Sequence, residues 1–112
     1  MESFTEDIQK AIAENTICLF TKGTREFPRC GFSHRVIEVF KALDVPFHTY
    51  DVLAHPQIRQ DLSALSGWPT TPQVFIGGEF IGGGDVVWEM FQNGELRSLV
   101  DEALARAGGS ES

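Results

Sequence analysis

Cysteine is scarce in this chain of 112 residues, and several other signals are missing altogether. Two cysteines in a chain without a secretion signal argue against a disulfide framework. The first six residues are acidic and lack an apolar core, so we expect no signal peptide. No apolar run approaches the roughly 20 residues that cross a bilayer, which argues against a membrane-bound protein.

Basic side chains are also few. Lys and Arg number 9 against 16 Asp and Glu, which gives a net charge of −7 with histidine neutral. This balance argues against general binding to the nucleic-acid backbone, which requires a basic surface. The length and the 42% apolar fraction are typical of one soluble domain. We expect that domain to span residues 1–107, followed by a disordered tail of small and polar residues over 108–112.

The hydrophobic pattern predicts strands that alternate with helices. A capping box formed by Ser3 and Glu6 opens the first helix, which ends at Asn15. Residues 16–21 are almost continuously apolar, which is typical of a strand buried on both faces.

Later segments continue this alternation. In chain order we predict a helix over 30–43, a strand over 47–50, a helix from Pro56 to Gly67 with Leu65 facing the core, strands over 73–76 and 79–81 joined by a Gly77-Gly78 hairpin, a helix capped by Asp85, and a last amphipathic helix. This order indicates an α/β fold with a four-stranded mixed sheet and helices on both faces.

Cys30 stands at the predicted entrance to the second helix. The unpaired N–H groups and the positive dipole end of a helix N-terminus favour a thiolate there. Residues 22–35 hold four basic side chains against one acidic one, a local charge of +3 that suits an anionic partner. These residues are Lys22, Arg25, Arg29 and Arg35, against Glu26. The alternative is a solvated loop with an ordinary cysteine at a helix cap.

Other candidate groups have a simpler structural interpretation. Cys18 lies in the middle of an apolar strand, so we expect a core residue rather than a ligand. Cys30 and His34 have a spacing that could chelate zinc, but the sequence shows no further paired ligands. Trp68 and Trp88 are expected in the core or on a rim rather than in a cofactor platform.

Three motifs together resemble the monothiol glutaredoxins. Residues 22–33 contain Lys-Gly-Thr, a proline and then Cys-Gly-Phe-Ser, like the active-site segment of that family. Residues 68–73 (Trp-Pro-Thr-Thr-Pro-Gln) resemble its cis-proline segment, and residues 77–85 (Gly-Gly-Glu-Phe-Ile-Gly-Gly-Gly-Asp) its glycine-rich stretch. The resemblance covers residues 4–105 and implies a thioredoxin-like fold, in agreement with the predicted order of elements.

The resemblance also implies a glutathione site. Lys22 and Arg59 are its basic residues for the glycine-end carboxylate, although each is also acceptable as a surface cation. A cis bond between Thr71 and Pro72 would expose backbone groups of Thr71 that pair with the cysteine of glutathione. Many relatives have an apolar residue at this position, which a backbone contact tolerates.

The last part of the implied glutathione site opens the fourth helix. The N–H groups of Gly84 and Asp85 would bind the γ-glutamyl carboxylate, and the Asp85 side chain would bind the amine. Relatives often carry Ser or Cys where Gly84 stands, so this chain lacks a third thiol there.

The family binds a labile [2Fe–2S] cluster, and the resemblance extends this property to the present chain. Four ligands are required, and the resemblance implies one Cys30 from each of two chains and one sulfur from each of two glutathiones. It therefore implies a homodimer when the cluster is bound, a monomer in the apo form, and partnership with BolA-type and apo iron–sulfur proteins. Phe32 would either shield the cluster or pack nearby.

An enzymatic role is the alternative interpretation of the same thiol. Cys30 would attack a glutathionylated protein through a mixed disulfide, whereas Ser33 excludes exchange through a second active-site cysteine. For either role we expect a cytoplasmic protein, or one of an organellar matrix or stroma if the chain is a processed eukaryotic form.

Overall fold

A computed structural model describes residues 3–109, and the predicted order of elements is confirmed. The elements are α1 (Thr5–Glu14), β1 (Ile17–Thr21), α2 (Gly31–Ala42), β2 (His48–Asp51), α3 (Pro56–Ser66), β3 (Gln73–Ile76), β4 (Glu79–Gly82), α4 (Gly84–Asn93) and α5 (Glu95–Gly109). The end of α3 at Gly67 and of α1 at Asn15 lie where the sequence predicts them.

The four strands form one mixed sheet in the order β2-β1-β3-β4. β1 is parallel to β2 and antiparallel to β3, and β3 is antiparallel to β4. All five residues of β1 are buried, as the continuous apolar run predicts. Gly77 and Gly78 connect β3 to β4 with φ angles of 61° and 85°, a left-handed conformation that favours glycine.

Helices cover both faces of the sheet, and each face has its own core. The first core joins the sheet to α2, α4 and α5 around Leu19, Phe40 and Val100. The second joins it to α1 and α3 around Phe20 and Leu62. Successive residues of β1 therefore point into opposite cores, as the alternation of side chains along a strand requires.

Three local predictions differ from the structure at helix ends and faces. The capping box is wrong, because α1 begins at Thr5 and no side chain caps it. The Ser3 hydroxyl accepts only the N–H of Thr5, at 3.4 Å. Helix α4 begins at Gly84, so Asp85 lies in its first turn instead of capping it. Leu65 is 38% exposed rather than inward, because α3 buries only Ile58 and Leu62.

The C-terminal helix continues past the predicted end of the domain. It extends through Gly109, two residues into the segment 108–112, and the disorder of that segment stays a prediction. Residues 110–112 lie outside the described residues. Within the described part of the chain, no helix is long and apolar enough to cross a membrane.

Candidate functional site around Cys30

Three loops meet at one edge of the sheet. Because β3 runs antiparallel to both of its neighbours, its start at Gln73 lies at the same edge as the ends of β1 and β4. The loop after β1 carries Cys30, the loop before β3 carries Pro72, and the segment after β4 leads into α4. The topology thus brings together the three motifs that are far apart in the sequence.

A cleft with a volume of about 350 Å³ lies between these loops. Six of the seven residues predicted for the site line it: Lys22, Cys30, Thr71, Pro72, Gly84 and Asp85. The remaining lining residues are Phe32, Trp68, Thr70, Gly83 and Val86. Arg59 is exposed on α3 and is not a lining residue, so its contact with glutathione stays a prediction.

Cys30 is the N-cap residue of α2 and is partly exposed. The backbone N–H of Ser33 holds the pKa of the Cys30 thiol below its usual value, and the Phe32 N–H, the Lys22 charge and the Ser33 hydroxyl add to this effect. Partial burial opposes them but is outweighed. A thiolate is the nucleophilic and metal-binding form of cysteine, so this position suits both kinds of chemistry.

Ser33 also ties the helix to the loop before it. Its side chain is fully buried, and its hydroxyl oxygen accepts the backbone N–H of Lys22 at 3.0 Å. The Lys22 carbonyl in turn accepts the N–H of Arg29 at 2.7 Å. These bonds fix the position of Lys22 relative to the thiol.

The loop between β1 and Cys30 is closely packed. The Gly23 N–H donates to an oxygen of Asp51, at 2.9 Å, which anchors the loop to the end of β2. A Cβ atom added to Gly23 would lie 2.4 Å from the Phe27 carbonyl oxygen, and the φ angle is +97°. Only glycine therefore fits where this loop folds back on itself.

The loop before β3 has an internal anchor that the sequence interpretation missed. The peptide bond between Thr71 and Pro72 is cis, as predicted. The next residue, Gln73, is fully buried, and its amide nitrogen donates to the carbonyls of Trp68 at 3.1 Å and Thr70 at 3.0 Å. The signal was a polar residue that opens an otherwise apolar buried strand directly after a proline.

The start of α4 closes the third side of the cleft. A Cβ atom added to Gly84 would lie 3.5 Å from the Phe32 ring, an ordinary van der Waals distance, so a small side chain would also fit here. Phe32 lines the cleft and is 54% exposed, and its role as a shield for a cluster stays a prediction. The first turn of α4 leaves backbone N–H groups free to bind an anion.

The alternative candidates have structural roles. Cys18 is fully buried in the second core, where burial raises its pKa to about 12. Among the described residues, no group of three or more His, Cys, Asp or Glu could hold a metal ion, so the zinc chelate with His34 gains no support. Trp68 lies on the cleft rim, whereas Trp88 packs against the first core.

Comparison with known proteins identifies the family. The sequence profile of the glutaredoxin family matches residues 17–81, more than half of the chain. A ycf64-like monothiol glutaredoxin from Synechocystis is 46% identical over 98 residues, which are 88% of this chain and 92% of the relative. The chain belongs to the monothiol glutaredoxins.

Solved structures of other glutaredoxins share the fold. Reduced apo GrxS14 from poplar superimposes with a TM-score of 0.82 at 39% identity, over 91% of this chain and 94% of the other. A buckwheat glutaredoxin–glutathione complex gives a TM-score of 0.78 at 29% identity, over 88% of each chain. This glutaredoxin therefore has the thioredoxin-like fold that its motifs imply.

Proposed function

We propose that this glutaredoxin binds glutathione and carries a labile [2Fe–2S] cluster between two copies of the chain, for delivery to apo iron–sulfur proteins. One observation carries the proposal. Within residues 3–109, Cys30 is the single cysteine that is both accessible and favoured as a thiolate. Because such a cluster takes four ligands, one chain cannot enclose it.

The ligand count explains why glutathione and a second copy belong in the proposal. Two chains supply two Cys30 thiolates, and two bound glutathiones supply the other two. Cys18 cannot contribute, because it is buried in the second core as a neutral thiol. Ligands that belong to four separate molecules can dissociate one at a time, which suits a cluster that is cargo.

The cleft contains the groups that glutathione requires. Lys22 offers a cation for one carboxylate, and the start of α4 offers N–H groups for the other. Asp85 offers a carboxylate for the amine, and the backbone of Thr71 can pair with the central cysteine of the tripeptide. The buckwheat glutaredoxin–glutathione complex, which has the same fold, supports this assignment of the ligand.

A second polypeptide can take the place of one copy in this scheme. Any partner that brings ligands to the open side of the Cys30 site completes the same coordination sphere. Following the family resemblance, we propose a BolA-type protein as that partner in a mixed dimer. The proposed role is therefore cluster transfer in iron–sulfur assembly and iron homeostasis.

Anaerobic loading with iron, sulfide and glutathione tests the proposal. We expect visible absorption of a [2Fe–2S] cluster together with the mass of a dimer, and neither when glutathione is omitted. A colourless monomer under complete loading conditions would contradict the carrier function.

The two cysteines provide matched variants for this experiment. Cys30→Ser should abolish cluster loading, whereas Cys18→Ser should load normally at a temperature where it is folded. If Cys18→Ser alone bleaches the cluster, the assignment of ligands is wrong.

Thiol exchange is the second candidate function, and the lowered pKa of the partly exposed Cys30 favours it. The Cys30 thiolate would attack the glutathione sulfur of a glutathionylated protein and release the protein thiolate. A second glutathione thiolate would then attack the Cys30 mixed disulfide, which regenerates Cys30 and yields oxidised glutathione. Rapid deglutathionylation by a chain that cannot be loaded with cluster would favour this function over the first.

A further inference from the structure

The basic residues near the reactive thiol do not all belong to the glutathione cleft. Of the four that produce the local positive charge, only Lys22 lines that cleft. The Arg35 guanidinium lies over a tryptophan ring, 4.6 Å from its centre. Arg25 and Arg29 line a second cleft instead. The glutathione cleft therefore accounts for the lysine and not for the two arginines.

The second cleft adjoins the first at Cys30, which lines both, and its volume is about 460 Å³. Lys41 and Glu38 pair with each other at 3.3 Å, so their charges largely cancel. The charged side chains that then remain on the walls of the second cleft are Arg25, Arg29 and Glu26. The positive end of the α2 dipole adds to their net positive charge.

Charge makes this cleft different from the rest of the chain. Its charged lining residues are Arg25, Arg29 and Lys41 against Glu26 and Glu38, a net charge of +1, whereas the whole chain carries −7. An acidic polypeptide is therefore repelled by most of this protein and attracted beside Cys30. Such complementarity directs an encounter to one surface and selects against partners of the wrong charge.

The loop that carries the two arginines is held in place. The Arg25 guanidinium donates to the Phe47 carbonyl at 3.2 Å and lies 3.8 Å from the centre of its ring. The backbone N–H of Arg29 donates to the carbonyl of Lys22 at the base of the loop. Phe27 is 73% exposed and lines an adjoining groove, which shares Arg29 with the second cleft. An arginine side chain that is already held in place, like that of Arg25, loses little entropy on binding, and arginines often dominate interfaces.

We infer that the second cleft docks an acidic segment of the partner polypeptide on which Cys30 acts. Carboxylates of that segment lie against Arg29 and Arg25, and an apolar side chain reaches past Arg29 to Phe27 in the adjoining groove. This inference rests on the proposed function, because it names the chemistry of the partner that shares the thiol while glutathione fills the first cleft.

A binding experiment that needs neither cluster nor exchange tests the docking. The probe is a short peptide of Asp, Glu and one Leu without cysteine, titrated into the ¹⁵N-labelled full-length chain at low ionic strength with saturating glutathione. We expect saturable shifts in the amide signals of residues 25–27 and 29–31. A peptide with Lys in place of Asp and Glu should produce none.

Charge-reversal variants provide the matched comparison. Arg29→Glu should weaken the peptide affinity by at least about tenfold. Arg97→Glu makes the same change in net charge on α5, at a residue that pairs with Asp101, and should leave the affinity within about twofold. Phe27→Ser should weaken it about threefold through lost apolar contact.

Three results would overturn the docking. They are an absence of shifts, shifts confined to residues of the first cleft, and equal losses of peptide affinity in the Arg29→Glu and Arg97→Glu variants. Shifts of Thr71 and Asp85 on addition of glutathione report the first cleft separately. A failed docking is therefore distinguishable from a failed glutathione site, and the cluster-loading experiment decides the carrier function independently.

Discussion

The two cysteines of this protein have the same side chain in opposite environments. Cys18 lies in the middle of β1, fully buried, and burial raises its pKa to about 12. Cys30 lies at the start of α2, partly exposed, and the Ser33 N–H is the largest of several groups that lower its pKa. One residue type thus forms part of a core and of a reactive site.

The difference follows from whether the backbone N–H groups around each cysteine already have hydrogen-bond partners. β1 pairs with β2 on one side and β3 on the other, so Cys18 lies among N–H groups that already have partners. The first turn of a helix leaves its N–H groups unpaired, and at α2 the N–H groups of Ser33 and Phe32 lower the pKa of Cys30. Position in the secondary structure, more than local composition, decides which thiol is reactive.

Alkylation should show the largest contrast between the two thiols. In the native protein at neutral pH, we expect iodoacetamide to modify Cys30 at least about 100-fold faster than Cys18, since the thiolate is the reacting form and Cys18 is both protonated and buried. Mass spectrometry of native and denatured samples measures this ratio. Two adducts on the native protein at similar rates would contradict it.

The pH dependence of the same reaction sharpens the contrast. Deprotonation creates the reactive form, so the Cys30 rate should rise with pH and level off once the pH exceeds its pKa. Because that pKa is lowered, the plateau should be reached at a lower pH than for free cysteine. A plateau at or above that of free cysteine would show that the helix N-terminus does not act on the sulfur.

Substitution of Cys18 should lower the stability of the protein more than substitution of Cys30, the reverse of the order in reactivity. Cys18→Ser places a hydroxyl in an apolar core and should lower the free energy of unfolding by about 1–3 kcal/mol. Cys30→Ser, at a partly exposed site, should change it by less than about 0.5 kcal/mol. Urea unfolding followed by circular dichroism measures both. A larger loss for Cys30→Ser would contradict the assignment of structural and reactive roles.

A substitution at Gln73 tests how the loop before β3, which lines the first cleft, is held in its conformation. Gln73→Met keeps the volume but removes the two bonds to Trp68 and Thr70, so the free energy of unfolding should fall by about 1–3 kcal/mol. Glutathione affinity should fall about threefold to tenfold, because the loop at Thr71 loses its anchor. Gln60→Met, at an exposed position of α3, is the control. Reduced stability with unchanged affinity would limit Gln73 to a structural role.

Much of this architecture is predictable because it depends on patterns along the chain. The buried strand β1, the end of α3 at Gly67 and the hairpin at Gly77 follow from apolar runs and from residues that favour particular backbone angles. The site is predictable as a set of motifs for the same reason. Each of its three loops keeps its own sequence signal, and the strand order brings the three together.

The errors arise where distant contacts decide. The backbone N–H of Phe4 bonds to Asp61 on α3 at 2.8 Å, a partner 57 residues away that the expected capping box could not anticipate. The positive charge near Cys30 is a single group in sequence, but the fold divides it between two clefts. Arg59 satisfies the family pattern yet lies outside the lining of the first cleft.

Ser33→Ala should give the smallest effect and locate the source of the thiolate. It removes a hydroxyl that bonds to the Lys22 N–H, but it keeps the Ser33 backbone N–H, the largest cause of the lowered pKa. The Cys30 pKa should therefore rise slightly and alkylation below that pKa should slow only a few-fold, while Ser98→Ala on α5 changes neither. A rise of the Cys30 pKa to that of a free cysteine would show that the hydroxyl, rather than the helix backbone, stabilises the thiolate. The serine of the motif would then have an electrostatic role beyond replacing a second cysteine.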